Sequence, residues 1–222
     1  MARIVVIGGH GQVALQLARI LSERGDEVTS VFRNPDHSDD VAASVSGHGR
    51  PVVADIEQLD THALADLLTG HDAVVFSAGA GGGNPARTYA VDRDAAIRVI
   101  DAAAQAGVRR FVMVSYFGAS PDHGVPQDDP FFPYAEAKAA ADAHLRASDL
   151  DWTVLGPGRL TLEPATGRIT IGKGKGEISR GDVALVVAAA LHDDATIRRT
   201  IEFNNGSDGN GAPIAEALAG RP

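Results

Sequence analysis

Residues 3–21 read RIVVIGGHGQVALQLARIL, and this stretch decides the fold. Ile4-Val5-Val6-Ile7 is a short unbroken apolar run, the pattern of a strand covered on both faces. Gly8, Gly9, His10 and Gly11 follow, and Val13, Leu17, Ile20 and Leu21 then recur at helical spacing. Strand, glycine turn and helix in that order are the context in which a glycine motif points to a dinucleotide. The spacing is Gly8-x-x-Gly11-x-x-Ala14, with Ala14 where a third glycine often stands. Gly8 permits the sharp turn, Gly11 lets backbone approach a pyrophosphate, and Ala14 keeps helix and strand close. The phosphates would meet the free N–H groups and the positive dipole end of the helix. Gly9, His10, Gln12 and Val13 complete this candidate cradle.

Composition narrows the classes around that stretch. With 222 residues, residues 1–222 form most simply one domain with a full core. Hydrophobic residues at 44% and charged residues at 22% describe an ordinary globular chain rather than a disordered one. The formal net charge of -9 argues against nucleic acid or an anionic membrane as partner. There are 0 cysteines, hence no disulfide framework and no thiol chemistry, and no histidine spacing suggests a metal site. No apolar run is long enough to span a membrane, and the chain enters a core strand at once, without a signal peptide. A cytoplasmic protein is the expectation, a monomer or small homo-oligomer acting on a small-molecule substrate.

The remaining elements read in alternation. A second strand at Glu27 to Phe32 ends at Arg33-Asn34-Pro35. An acid at that point would bind the ribose 2′-OH of NAD, whereas an arginine would hold the 2′-phosphate of NADP. Arg33 with no acid beside it favours NADP(H) over NAD(H), since the planar guanidinium makes paired charge-assisted bonds to phosphate. His10 is a lesser candidate for the same phosphate. Residues 36–49 read as a loop, and residues 51–56 as a third strand, where Asp55 could accept from the adenine amino group and Ile56 could wall it. A short helix over 61–68 leads to a strand at 72–76 and then to Ser77-Ala78-Gly79-Ala80-Gly81-Gly82-Gly83, a second backbone surface for a cofactor. A long helix over 92–106 and a strand over 108–115 follow. Five strands alternating with helices predict an α/β, doubly wound parallel sheet. After it come a strand at 152–155 broken by Gly156-Pro157-Gly158, and a small irregular substrate lobe at about 157–180 with a short strand at 169–171. Ser179 caps a helix through Leu191, and a strand at 199–204 and a helix at 213–218 finish the chain. Gly172-Lys173-Gly174-Lys175 reads as a flexible basic turn, and the Asn205-Gly206-Ser207 sequon as a turn.

Tyr134 and Lys138 are four apart in PYAEAKAAADAHL, one turn apart on one helix face. A free phenol titrates near about 10, too high for proton exchange at neutral pH. A nearby ammonium would stabilise the phenolate and lower that value. Ser115, at the tip of the fifth strand beside Val114, could hydrogen-bond a substrate oxygen. Together Tyr134, Lys138 and Ser115 form a candidate hydride-transfer site, in which the cofactor gives hydride to carbon and Tyr134 gives a proton to oxygen. The alternative is a packing tyrosine beside a solvated lysine.

The chain resembles the atypical short-chain dehydrogenase/reductases, and within them the small NAD(P)H-binding branch near flavin/biliverdin-reductase-like and NmrA-like proteins. The resemblance rests on IGGHGQVA, RNP, ADI, RRFVMVS, PYAEAKAAADAHLRASDLDWTVLGPGRLTLEP and ISRGDVA, and covers nearly the whole chain. It implies a Rossmann fold in which Gly8, Gly11, Arg33, Asp55, Ile56, Ser77, Ala78, Gly79 and Lys138 line the cofactor. It also implies that Pro157 and Gly158 pass the nicotinamide and that residues 160–178 roof the substrate. The chain departs at Gly156, where many relatives carry an arginine before Pro-Gly. The function implied is an NADPH-dependent oxidoreductase or epimerase on a small carbonyl, quinone or sugar-type substrate. The alternatives are a non-catalytic NADP(H)-binding redox sensor of the NmrA kind and a flavin or quinone reductase with no proton relay.

Overall fold

In a computed structural model of the chain, residues 1–45, 47, 49–81, 83–172, 174–205 and 211–220 are described. Gly82, Lys173, Gly206 and Ser207, on which parts of the loop and turn readings fall, lie outside the described residues. Arg3–Ile7 forms β1, Gln12–Glu23 α1, Glu27–Phe32 β2, Ser38–Ser44 α2, Gly49–Val53 β3, Thr61–Leu68 α3 and Ala73–Phe76 β4. Pro85–Thr88 is α4, which runs through a π-helical stretch, Tyr89–Ala95, into α5 at Ala96–Ala106. Arg110–Val114 is β5, Phe132–Ala147 α6, Asp151–Pro157 β6, Arg159–Thr161 β7, Arg168–Ile171 β8 and Glu177–Ser179 β9. Arg180–Leu191 is α7, Arg199–Asn204 β10, Ala212–Pro213 β11 and Ile214–Ala219 α8.

The main sheet runs β11-β8-β10-β6-β5-β4-β1-β2-β3. From β3 to β10 every pairing is parallel, whereas β8 pairs antiparallel with β10 and with β11. This is the doubly wound Rossmann-type order, and its direction of growth reverses between β1 and β4. On β1 the apolar run serves both faces. Ile4 and Val6 pack with Leu17, Leu21, Val183 and Val187 of α1 and α7, while Val5 and Ile7 pack with Leu64, Leu68, Val99 and Ile100 of α3 and α5.

Several expected boundaries move, each for a local reason. Residues 36–49 are not a plain loop. The Asn34 side chain caps a 3-10 turn at Pro35–His37, and α2 follows, with Asp39 and Asp40 in its first turn and Val41 buried. The helix expected from residue 92 starts at Pro85, because Asn84 accepts the Arg87 N–H as a cap and Pro85 takes the first position. β6 runs through Gly156 and Pro157, paired with Glu202 and Phe203 of β10, because a proline at a strand end forfeits little of the ladder. The lobe is only partly separate: β7 and β9 make their own two-stranded sheet, but β8 belongs to the main sheet. Among the described residues no helix is long and apolar enough to cross a membrane.

Gly8 has φ +89°, and a Cβ there would lie 2.6 Å from Ala78 Cα. Gly25, just past α1, has φ +86° with nothing within 4 Å. Gly25→Ala is therefore expected to cost only the left-handed strain, about 1–2 kcal/mol. Gly8→Ala should cost a further ~1–3 kcal/mol of overpacking. Urea denaturation of both variants checks this, and equal losses would mean that the β1 and β4 turns do not need their close approach.

Candidate active site

The glycine turn is folded back onto the sheet by its own backbone. Gly8 and Gly9 N–H groups both donate to the Val31 carbonyl, at 3.0 and 2.8 Å, and Gly11 N–H donates to the Gly8 carbonyl at 2.8 Å. A Cβ on Gly9 would lie 2.8 Å from Ser30 Cβ, so Gly9 packs against β2 and is buried rather than lining the cradle. No side chain caps α1 at Gly11 and no acid lies in its first turn. Its leading N–H groups are thus left to an anion.

Two hollows open from this turn. One, of about 260 Å³, brings together the sequence candidates Gly8, His10, Gly11, Arg33, Asp55, Ile56, Ser77, Ala78 and Gly79 with Asn34, His37, Glu57 and Arg87. His10 stacks on His37 with ring centroids 3.6 Å apart, and its Nε2 lies 3.4 Å from Asp40 Oδ2. Asp55 Oδ1 accepts the Glu57 N–H at 3.0 Å, so this carboxylate shapes its own turn while facing the pocket. The second hollow, of about 660 Å³, joins Gly11, Gln12, Val13, Ser77, Ala78 and Gly79 to Val114, Ser115 and Tyr134. Leu160, Thr161, Leu162 and Arg180 close its far side. Pro157 and Gly158 line a neighbouring recess of about 590 Å³ with Tyr116, Phe131, Tyr134 and Leu160.

Tyr134 is partly buried in the first turn of α6, its ring 5.5 Å from Tyr116 and 5.3 Å from Phe131. Lys138, one turn on, lies behind the cleft wall rather than on it, at 1% exposure. Its Nζ donates to the Val114 carbonyl at 2.8 Å and to Met113 Sδ at 3.5 Å. Helical spacing put it on the Tyr134 side of α6, but the carbonyl at the tip of β5 draws it inward. The expected lowering of the Tyr134 phenol is not found. Burial pushes that phenol up, and the negative charges of Asp92 and Asp142 push it further. Ser115 also differs from expectation, because its hydroxyl donates to Asp142 Oδ2 at 2.5 Å and is not free to donate to a substrate oxygen.

Asp142 and Asp92 are the site residues that sequence reasoning missed. Asp142 follows Lys138 by four residues on the same face of α6 and is 0% exposed. Asp92, 1% exposed in the π-helical stretch, accepts the Ala80 N–H at 3.0 Å and so anchors the glycine-rich tip after β4. Burial raises both carboxyls, and the Lys138 charge opposes it at each. Burial likewise pushes the Lys138 ammonium down, with Asp142 and then Asp92 pushing it back up. The Tyr134, Lys138, Asp142 spacing was a readable sign of this buried charge row. At Gly156 a Cβ would lie 3.1 Å from both the Tyr116 carbonyl and Glu202 Cγ, so no larger side chain, the arginine that the resemblance implies included, fits unless its neighbours give way.

The chain is 35% identical over 227 residues to a Bacillus subtilis protein named an uncharacterized sugar epimerase, covering 97% of this chain and 98% of that protein. A solved Bacillus halodurans structure, provisionally named an NAD-dependent epimerase/dehydratase, superposes with a TM-score of 0.87 at 33% identity, over 98% of this chain and 99% of that one. The oxidoreductase ylbE from Lactococcus lactis gives 0.84 at 29% identity, over 97% and 94%. Residues 8–194 match the family described as NAD(P)H-binding, and the chain belongs to that family.

Proposed function

We propose that the chain is an NADP(H)-dependent oxidoreductase or epimerase acting on a small carbonyl, quinone or sugar-type substrate. The observation that carries this reading is the shared cleft: Gly11 to Val13, Ser77 to Gly79, Ser115 and Tyr134 line one hollow. The names of the relatives, one a sugar epimerase and one an oxidoreductase, are consistent with it. Arg33 beyond β2, its side chain half exposed and with no acid next to it in sequence, supports a 2′-phosphate over a free ribose hydroxyl.

The glycine turn fits a dinucleotide because Gly11, with no side chain, lines both hollows and the first N–H groups of α1 are left uncapped. When bound, the nicotinamide supplies or accepts the hydride at a substrate carbon. In the reducing direction Tyr134, kept protonated by its surroundings, gives its proton to the substrate oxygen. Lys138, buried behind the cleft wall, holds the end of β5 through the Val114 carbonyl and so acts on the phenol and the cofactor by position rather than by direct contact. Ser115, its hydroxyl donating to Asp142, keeps an oxygen lone pair that can accept from a substrate hydroxyl.

Gly11→Val should abolish NADPH binding by calorimetry while circular dichroism stays native, since a branched side chain would enter the phosphate space. Unchanged affinity in the folded variant would remove the cradle. Tyr134→Phe keeps the ring, so NADPH affinity should hold while turnover of any substrate found falls about 10²–10⁴-fold. Full-rate turnover in that variant would favour a reductase without a proton relay. NADPH binding that loosens in Lys138→Met, with no turnover of any substrate, would favour the sensor.

The protonation of the site can be watched directly, because Lys138, Lys173 and Lys175 are the only lysines in the sequence. With ¹³C-lysine labelling, the Lys138 ε-carbon should titrate below the ordinary lysine value of about 10.4. Asp142→Asn, which removes the largest opposing charge, should move it lower still. A Lys138 titration at the ordinary lysine value, unmoved by Asp142→Asn, would contradict the buried charge row.

A further inference from the structure

Three charged side chains, two from beyond strand ends and one from α4, meet at the edge of the smaller pocket. Arg33, after β2, donates through Nη1 to Glu57 Oε1 at 2.8 Å. Arg87, in α4, donates through Nη2 to the same oxygen at 3.3 Å. Glu57 lies beyond β3, and all three line the pocket that holds Gly8 and Gly11. The Glu57 side chain is 15% exposed, while those of Arg33 and Arg87 keep 50% and 39%.

The carboxylate is held from behind. The Glu57 N–H donates to Asp55 Oδ1, and its carbonyl accepts from Arg98 Nη2 at 3.3 Å. Arg87 is steadied by a second bond, from Nη1 to the Ala80 carbonyl at 3.2 Å. Two guanidiniums converging on one anionic oxygen make the arrangement that recognises a phosphate, with Glu57 supplying the oxygen. A phosphate monoester carries a charge of about -1.5 to -2 at neutral pH, more than one carboxylate. A ribose hydroxyl carries none and has no electrostatic means of displacing Glu57.

We infer that Arg33 and Arg87 form a two-arginine anion site at the adenosine end of the pocket, which Glu57 closes in the free protein and which a ribose 2′-phosphate opens by taking both guanidiniums. The inference rests on the dinucleotide reading of this pocket and adds Arg87 as a second phosphate ligand and Glu57 as a built-in competitor. Glu57 then limits how strongly the chain prefers the phosphorylated cofactor.

Calorimetric titration of the full chain with NADPH and with NADH tests it. Glu57→Gln should tighten NADPH about 3–10-fold, the scale of a partly exposed ion pair, and leave NADH within about twofold. Arg87→Ala should weaken NADPH about 10-fold with little change for NADH. In the double variant the gain from Glu57→Gln should shrink toward nothing. A Glu57→Gln protein that binds NADPH more weakly, or whose ratio of affinities is unchanged, overturns the competitor role. An Arg87→Ala protein that weakens both nucleotides equally overturns the second-ligand role. Failure of the unsubstituted chain to bind either nucleotide would instead strike the dinucleotide reading itself.

Discussion

The close approach of the turn after β1 to the turn after β4 is the constraint on which the rest depends. Gly8 meets Ala78 backbone to backbone, with no space for a Cβ, and Gly8 and Gly9 share the Val31 carbonyl of β2. Three strand ends are thereby drawn to one point, at the place where the sheet's order reverses. Backbone of the two turns and side chains including Arg33 and Ile56 both line the crevice, and the uncapped N–H groups that open α1 are available to an anion there.

Around that crevice the chain places charge where burial disfavours it. Lys138, Asp92 and Asp142 are all at 1% exposure or less. Isolated, each would be expelled or neutralised; together they moderate one another, and each is tied to the backbone or to a hydroxyl. Lys138 is fixed on the Val114 carbonyl, Asp92 on the Ala80 N–H and Asp142 on Ser115. Those three anchors are the ends of β5 and the tip after β4, so the buried charges organise the loops that line the cleft. At the wall of the cleft stands Tyr134, its phenol pushed up by burial and by the charges of Asp92 and Asp142.

Much of the fold was legible because its signals are local. β2, α3 and β10 fall where alternation and helical spacing set them, and Ser179 caps α7 through the Asp182 N–H at 2.9 Å. The glycine turn and the wall at Ser77 to Gly79 were legible for the same reason. The start at Pro85 was also written locally, in Asn84-Pro85, but the stronger apolar pattern from residue 92 onward masked it. What sequence could not carry was pairing at a distance. Glu57 meets Arg33 across 24 positions and Arg87 across 30, and Ser115 meets Asp142 across 27. No periodicity encodes such contacts. The Tyr134–Lys138 spacing correctly placed two side chains on one side of a helix, but it said nothing of the carbonyl that turns the lysine inward.

The most direct test of the central claim, that the β1–β4 crevice is a dinucleotide site feeding the Tyr134 cleft, is a crystal structure of the chain with NADP⁺. The account predicts the pyrophosphate on the N–H groups that open α1, the adenosine between Arg33 and Asp55, and the nicotinamide in the cleft shared by Ser115 and Tyr134. A nucleotide bound away from the glycine turn, or one with its adenosine in the Tyr134 cleft, would contradict it.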